Sequence, residues 1–251
     1  MAGDLVLSTF DGPIARLTLN DPDHANVLSE AMMAALSDAL AAAAANAQVR
    51  VVVLAAEGRI FCAGHDLGEL RADDDAARHE ALFARCSALM LAIVDCRAPV
   101  IARVQGAAVA AGCQLVASCD LAYAADTARF AVSGINLGLF CTTPGVALGR
   151  AVGRKAAAEM LLTGRFVSAV RAAELGLINA ALPAAELDAA VDAAAAEIAA
   201  KPPEAIALGK AAFRRQMEAP LAEAYAIASR AMAENLGYES AKAGIDGFRA
   251  R

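Results

Sequence analysis

The stretch Pro99-Val100-Ile101-Ala102-Arg103-Val104-Gln105-Gly106-Ala107-Ala108-Val109-Ala110-Ala111-Gly112-Cys113-Gln114-Leu115 decides the reading of the chain. Its first part, Pro99 to Val104, is a short apolar, branched run of the kind that forms a strand buried on both faces. Gly106 to Gly112 consists of alanine, glycine and one valine, and it leads into a helix predicted over Cys113–Ser118. Small residues let a ligand approach the backbone, and a helix start leaves N–H groups free to hold an oxyanion or a phosphate. Tight strand–helix packing accounts for the same composition equally well.

A similar unit lies upstream. Val49 to Ala55 is a continuous branched apolar run, and a loop over Glu57–Leu67 follows it, containing Phe61-Cys62-Ala63-Gly64-His65-Asp66-Leu67. Before it, Leu5–Phe10 and Ile14–Asn20 read as a hairpin around Asp11-Gly12-Pro13. Ser29 caps a helix through about Ala45. Asp73-Asp74-Asp75 leads a helix to about Val94, where acidic residues favour the helix start. Asp120–Ala124 returns as a strand, and Phe130-Ala131 adds a short one. Helices are predicted over Gly145–Val152, Lys155–Leu162 and Ala169–Leu175. From Ala184 onward the pattern is helical, broken at Lys201-Pro202-Pro203 and near Pro220. The class is α/β, a repeated strand–strand–helix core with a helical tail and no Ser-, Gly- or Pro-rich linker between them.

Composition narrows the function classes. With 251 residues, 59% hydrophobic and 20% charged, the chain is long and apolar enough for a large buried core. A net charge of −6 argues against a nucleic-acid partner, which usually requires a basic stripe. Six cysteines form neither a CxxC pair nor a Cys/His metal spacing, so no metal site and a reduced environment are expected. No signal peptide is visible, and no window reaches the roughly 18 apolar residues a membrane span needs. A cytoplasmic protein that does not enter membranes is the resulting expectation.

Several motifs, taken in order, resemble the crotonase (enoyl-CoA hydratase/isomerase) superfamily. Gly64-His65-Asp66-Leu67 is similar to its Gly-x-Asp-[Ile/Leu] loop, and the Pro99–Leu115 stretch with Cys119-Asp120 is similar to its second signature. Leu161-Leu162-Thr163-Gly164 with Ala172-Ala173-Glu174-Leu175-Gly176-Leu177-Ile178, and Pro22 with Asn26-Val27-Leu28-Ser29, resemble further family elements. The resemblance spans about residues 5 to 248 and is closest to the enoyl-CoA hydratase domain-containing subgroup.

That resemblance implies a crotonase-like superhelical ββα core over residues 1–194 and a helical trimerisation region over 195–251. It also implies an acyl-CoA substrate, a homotrimer or dimer of trimers, and no cofactor beyond the coenzyme A carried by the substrate. The backbone N–H groups of His65 and Ala111 would form an oxyanion hole, where two donors aimed at a thioester oxygen stabilise an enolate. Ala63, Gly64, Asp66 and Leu67 would line the coenzyme A path, with Gly112 beside the hole. Asp66 reads as a brace for its loop.

The two positions where hydratases of this family carry glutamate are Gln114 and Gly134. An amide can bond a water but cannot take its proton, and glycine has no side chain. The run Ile135–Leu148 departs from the common hydratase pattern, and Asn136, Phe140, Cys141, Thr142 and Thr143 would line an altered acyl pocket. The expected function is therefore acyl-CoA chemistry through the oxyanion hole, with hydration disfavoured. A non-catalytic acyl-CoA binder, a decarboxylase or a thioester hydrolase are the alternatives. Lys210, Arg214, Arg215, Arg249 and Arg251 in the tail could meet coenzyme A phosphates, but read first as solvated surface charges.

Overall fold

The computed structural model describes residues 4–250. The hairpin forms as read, β1 (Val6–Asp11) against β2 (Ile14–Leu19), and α1 (Glu30–Ala45) starts where Ser29 Oγ accepts the Met32 N–H at 3.1 Å. Strand β3 (Val51–Ala56) is buried at every position. Next come β4 (Ile60–Cys62), α2 (Leu67–Leu70), α3 (Ala76–Asp95), β5 (Val100–Val104), β6 (Ala107–Val109), α4 (Ala111–Ser118), β7 (Leu121–Ala125) and β8 (Arg129–Ala131). Helices α5 (Thr142–Ala151) and α6 (Arg154–Thr163), β9 (Val167–Ser168), α7 (Ala169–Leu175) and β10 (Ala180–Leu182) complete the core. The tail is α8 (Leu187–Ala199), α9 (Pro203–Met217), α10 (Leu221–Leu236) and α11 (Glu239–Arg249).

The strands divide between two sheets. One has the order β1-β2-β3-β5-β7-β10, parallel from β2 onward; the other has the order β4-β6-β8-β9. Each repeat sends its first strand to the large sheet and its second to the small one: β3 then β4, β5 then β6, β7 then β8. This is the repeated ββα architecture that the motifs implied. Alternation along β3 covers both of its faces, because successive side chains point to opposite sides. Val52 and Leu54 join the core of α1 and α3, while Val51 and Val53 meet Leu187, Val191, Ala195 and Ala199 of α8.

Four short strands escape the sequence reading. Strand β4 lies inside the predicted loop 57–67, and β6 lies inside the small-residue run. Each is three residues long, too short for an alternation to register. Strands β9 and β10 were likewise not expected. The division at 194/195 falls inside α8, which packs on the large sheet as one piece; the break between α8 and α9 comes at Lys201-Pro202.

Glycine spacing explains how the small sheet can form. A β-carbon on Gly106 would stand 1.9 Å from the Arg59 carbonyl oxygen, and one on Gly112 would stand 2.2 Å from that of Cys62. Only glycine permits that approach of β6 and α4 to β4.

Candidate functional site

Three neighbouring parallel strands of the small sheet carry the site on their carboxyl ends. Cys62 pairs with Ala108, and Val109 pairs with Ala131. The chain then leaves β4 through Ala63-Gly64-His65, β6 through Ala110-Ala111, and β8 through Val132-Ser133-Gly134. Adjacent strands lie about 4.8 Å apart, so the first two exits stand side by side.

Gly64 is the point of contact. Its φ is +99°, and a β-carbon there would meet Ala110 Cβ at 3.0 Å, Val109 O at 3.1 Å and Ala111 N at 3.4 Å. Across the gap Ala110 also has positive φ, +50°, with its N–H on Ala131 O at 2.8 Å. A non-glycine residue held there costs on the order of 1–3 kcal/mol, which the surrounding packing must offset. Ala111 opens α4 directly after this bend, so its nitrogen stands beside the 63–65 loop. Among the described residues, neither the His65 N–H nor the Ala111 N–H donates to a backbone or side-chain acceptor.

The 63–65 loop is anchored from behind. Leu28 N–H donates to Gly64 O at 2.7 Å, and Ala63 N–H to Ala25 O at 3.1 Å. Fully buried Asn26 donates to Glu57 O and Ile60 O and accepts from Asp21 N–H. Asp66 caps α2, accepting from Gly68 N–H at 2.7 Å and Glu69 N–H at 3.3 Å. Leu67 is exposed at the rim. The Asn26 clamp was not singled out from the sequence; its signal was the Asn26-Val27-Leu28-Ser29 motif itself.

His65 turns its ring edge-on to Phe83, with centroids 5.5 Å apart. Its Nδ1 lies 3.4 Å from Leu28 O, and its Nε2 is buried without a partner. Burial pushes its pKa below the ordinary histidine value, partly offset by the Leu28 contact. Gln114 is only 4% exposed, and its Oε1 has one weak donor, the Cys86 thiol at 4.0 Å.

The third exit is occupied differently. A β-carbon on Gly134 would meet Leu139 O at 2.5 Å and Cys141 Sγ at 2.8 Å, and the Gly134 N–H donates to Cys141 Sγ at 3.3 Å. Burial raises the Cys141 thiol, opposed by that N–H, so it has little thiolate character near neutrality. Asn136 donates its amide to Gly164 O at 3.4 Å and is thereby tied to the turn after α6. Phe140 and Thr142 are exposed, Thr143 is half-buried, and Thr142 donates to Phe140 O at 3.2 Å.

The tail cations need correction. Lys210 is not a solvated charge: its side chain is 12% exposed, and Nζ donates to Asp120 Oδ2 at 2.6 Å, Ile93 O at 3.3 Å and Ala98 O at 3.4 Å. Arg214 pairs with Asp95. Arg215 and Arg249 are exposed, and Arg251 lies outside the described residues.

A family model described as enoyl-CoA hydratase/isomerase matches residues 9–251. The chain belongs to the enoyl-CoA hydratase/isomerase family. Within that family it is similar to an enoyl-CoA hydratase domain-containing protein 3, mitochondrial, from Xenopus laevis, 44% identical over 94% of this chain and 80% of the relative. A solved enoyl-CoA hydratase from Mycobacterium smegmatis superposes with TM-score 0.96 at 55% identity, covering 98% of this chain and 96% of that one. The solved human enoyl-CoA hydratase domain-containing protein 3 gives TM-score 0.95 at 41% identity, over 98% and 97% of the two chains. Five vertebrate relatives in this family, 41–44% identical, are all named mitochondrial, which overturns the cytoplasmic expectation. No helix among the described residues is long and apolar enough to cross a membrane.

Proposed function

We propose that this protein binds acyl-CoA thioesters, polarises the thioester carbonyl with the His65 and Ala111 N–H groups, and does not hydrate enoyl-CoAs. One observation carries the reading: the exits of β4 and β6 meet at Gly64 and Ala111 with both of those N–H groups unclaimed among the described residues. Two preorganised donors on one oxygen lower the cost of developing enolate charge, by roughly 3 kcal/mol each. Ala63, Gly64, Asp66 and Leu67 would frame the coenzyme A path, and Gly112 would keep α4 close behind the hole. Phe140 and Cys141 would bound the acyl side.

Against hydration stand the amide at Gln114 and the closed space at Gly134, since water addition needs a group that takes and returns a proton. A non-catalytic acyl-CoA binder is favoured by the same two positions. Decarboxylation and thioester hydrolysis remain within reach of an oxyanion hole alone. Titration calorimetry with butyryl-CoA is expected to show saturable binding, and crotonyl-CoA at high enzyme concentration is expected to show no hydration. Absence of any thioester binding, or hydration at rates typical of enzymes, would overturn the proposal. Mass spectrometry of malonyl-, methylmalonyl- and hydroxyacyl-CoA incubations separates a catalyst from a binder.

The helical region after α8 would assemble the protein into a homotrimer or a dimer of trimers. Phe213, Met217, Leu221, Tyr225, Met232 and Phe248 expose more than half of their surface along α9 to α11, an apolar area that a monomer would leave wet. A monomeric mass by light scattering would contradict this.

A further inference from the structure

The side chain of Gln114 is more informative than the carboxylate it replaces. It is nearly all buried, yet among the described residues its Nε2 donates to nothing, while Oε1 is met only by the Cys86 thiol at 4.0 Å. Nor is that nitrogen sealed away: among the described residues, the fully buried side-chain atoms without partners are His65 Nε2, Gln105 Oε1 and Asn235 Nδ2. An accessible donor on an otherwise buried side chain is free to bond a ligand atom that reaches it.

Ala111 and Gln114 are three residues apart on α4, so they share a face with β-carbons about 5–6 Å apart. An oxygen held by the Ala111 N–H therefore leaves the next two carbons of an acyl chain beside the Gln114 amide. We infer that the acyl group this site is built to hold carries a carbonyl oxygen on its β-carbon: a 3-oxoacyl thioester, with that oxygen accepting from Gln114 Nε2. The inference rests on the thioester reading above and names its substrate class.

The surroundings favour a neutral oxo group over a β-carboxylate. Gln114 is met by the Cys86 thiol, and His65 by the Phe83 ring and the Leu28 carbonyl, none of them cationic, and burial holds His65 toward its neutral form. A carboxylate placed against those groups would lose hydration without gaining a partner charge from them. A glutamate at position 114 would offer an acceptor to an acceptor, whereas the amide offers a donor.

Calorimetry on the intact protein with acetoacetyl-CoA, butyryl-CoA and malonyl-CoA tests this. Acetoacetyl-CoA is expected to bind at least tenfold more tightly than butyryl-CoA, with malonyl-CoA no tighter than butyryl-CoA. Gln114→Leu, checked for a native circular dichroism spectrum, is expected to bring the acetoacetyl-to-butyryl ratio close to one. Gln114→Met gives the same readout if the leucine variant does not fold. Equal affinity of the wild-type protein for acetoacetyl- and butyryl-CoA would overturn the 3-oxo assignment while leaving thioester binding intact. Tightest binding of malonyl-CoA would overturn it in favour of a β-carboxylate. Failure of all three to bind would sink the thioester reading itself, and this assignment with it.

Discussion

The Gly134 N–H donates to the Cys141 sulfur at 3.3 Å, and that sulfur stands 2.8 Å from where a Gly134 β-carbon would begin. Position 134 is thus part of a packed turn. Any side chain introduced there must displace both the thiol and the Leu139 carbonyl, the latter 2.5 Å away. The double change Gln114→Glu with Gly134→Glu is expected to give no crotonyl-CoA hydration. Gly134→Glu alone is expected to cost about 1–3 kcal/mol through overpacking, read as a lowered thermal midpoint. Hydration by the double variant at unchanged stability would show that the turn yields easily.

Gly112→Ala presses a methyl group on the Cys62 carbonyl oxygen, which is backbone and cannot rotate away. The expected outcome is a loss of at least about 2 kcal/mol in denaturant unfolding, with weakened butyryl-CoA binding as α4 is pushed off β4. Gly149→Ala is the control, because nothing lies within 4 Å of its β-carbon position.

Lys210 joins the tail to the core, and its removal should register as stability rather than as phosphate affinity. Among the described residues, Lys210→Met leaves the Asp120 carboxylate with only the Val100 N–H at 2.7 Å. A charge-assisted bond at a site this enclosed contributes about 2–3 kcal/mol, so unfolding in denaturant should shift by that order. Coenzyme A affinity should change less than twofold.

Two histidines should titrate on opposite sides of the ordinary value of 6.5. His65 is lowered by burial. The unfolded chain therefore binds its proton first, and the stability His65 contributes is whole above 6.5 and declines as pH falls toward its folded value. His24 is raised by its hydrogen bond to Asp21, with Asp23 and Asp66 adding to the effect. Proton NMR should place the His24 midpoint above 6.5 and that of His65 below it. Asp21→Asn should bring the His24 midpoint down, and Phe83→Ala, by admitting water, should raise that of His65.

The fold was largely legible because its long elements carry their period in their own residues. β3 reads as a double-buried strand from Val51-Val52-Val53-Leu54, and Ser29 and Asp75 cap the helices that their positions foretold. The residues of the small sheet were legible only as loops, since three-residue strands such as Ile60–Cys62 show no alternation and pair with partners some forty-five residues away. Lys210 misled for a related reason: its partner Asp120 is ninety residues distant, and a lone lysine on a helix looks solvated.

By itself, the order of residues determined the ββα repeat, the family, and the amide and the glycine at 114 and 134, because each is a matter of local pattern or of which atoms a side chain contains. Tertiary structure alone decided that Gly64 meets Ala111 and that Cys141 fills the space beside Gly134. It likewise decided that Lys210 is held by the core and that the Gln114 amide lies buried on α4 with, among the described residues, no acceptor for its nitrogen. Those facts depend on which distant segments become neighbours, and proximity of that kind follows from packing the whole chain at once.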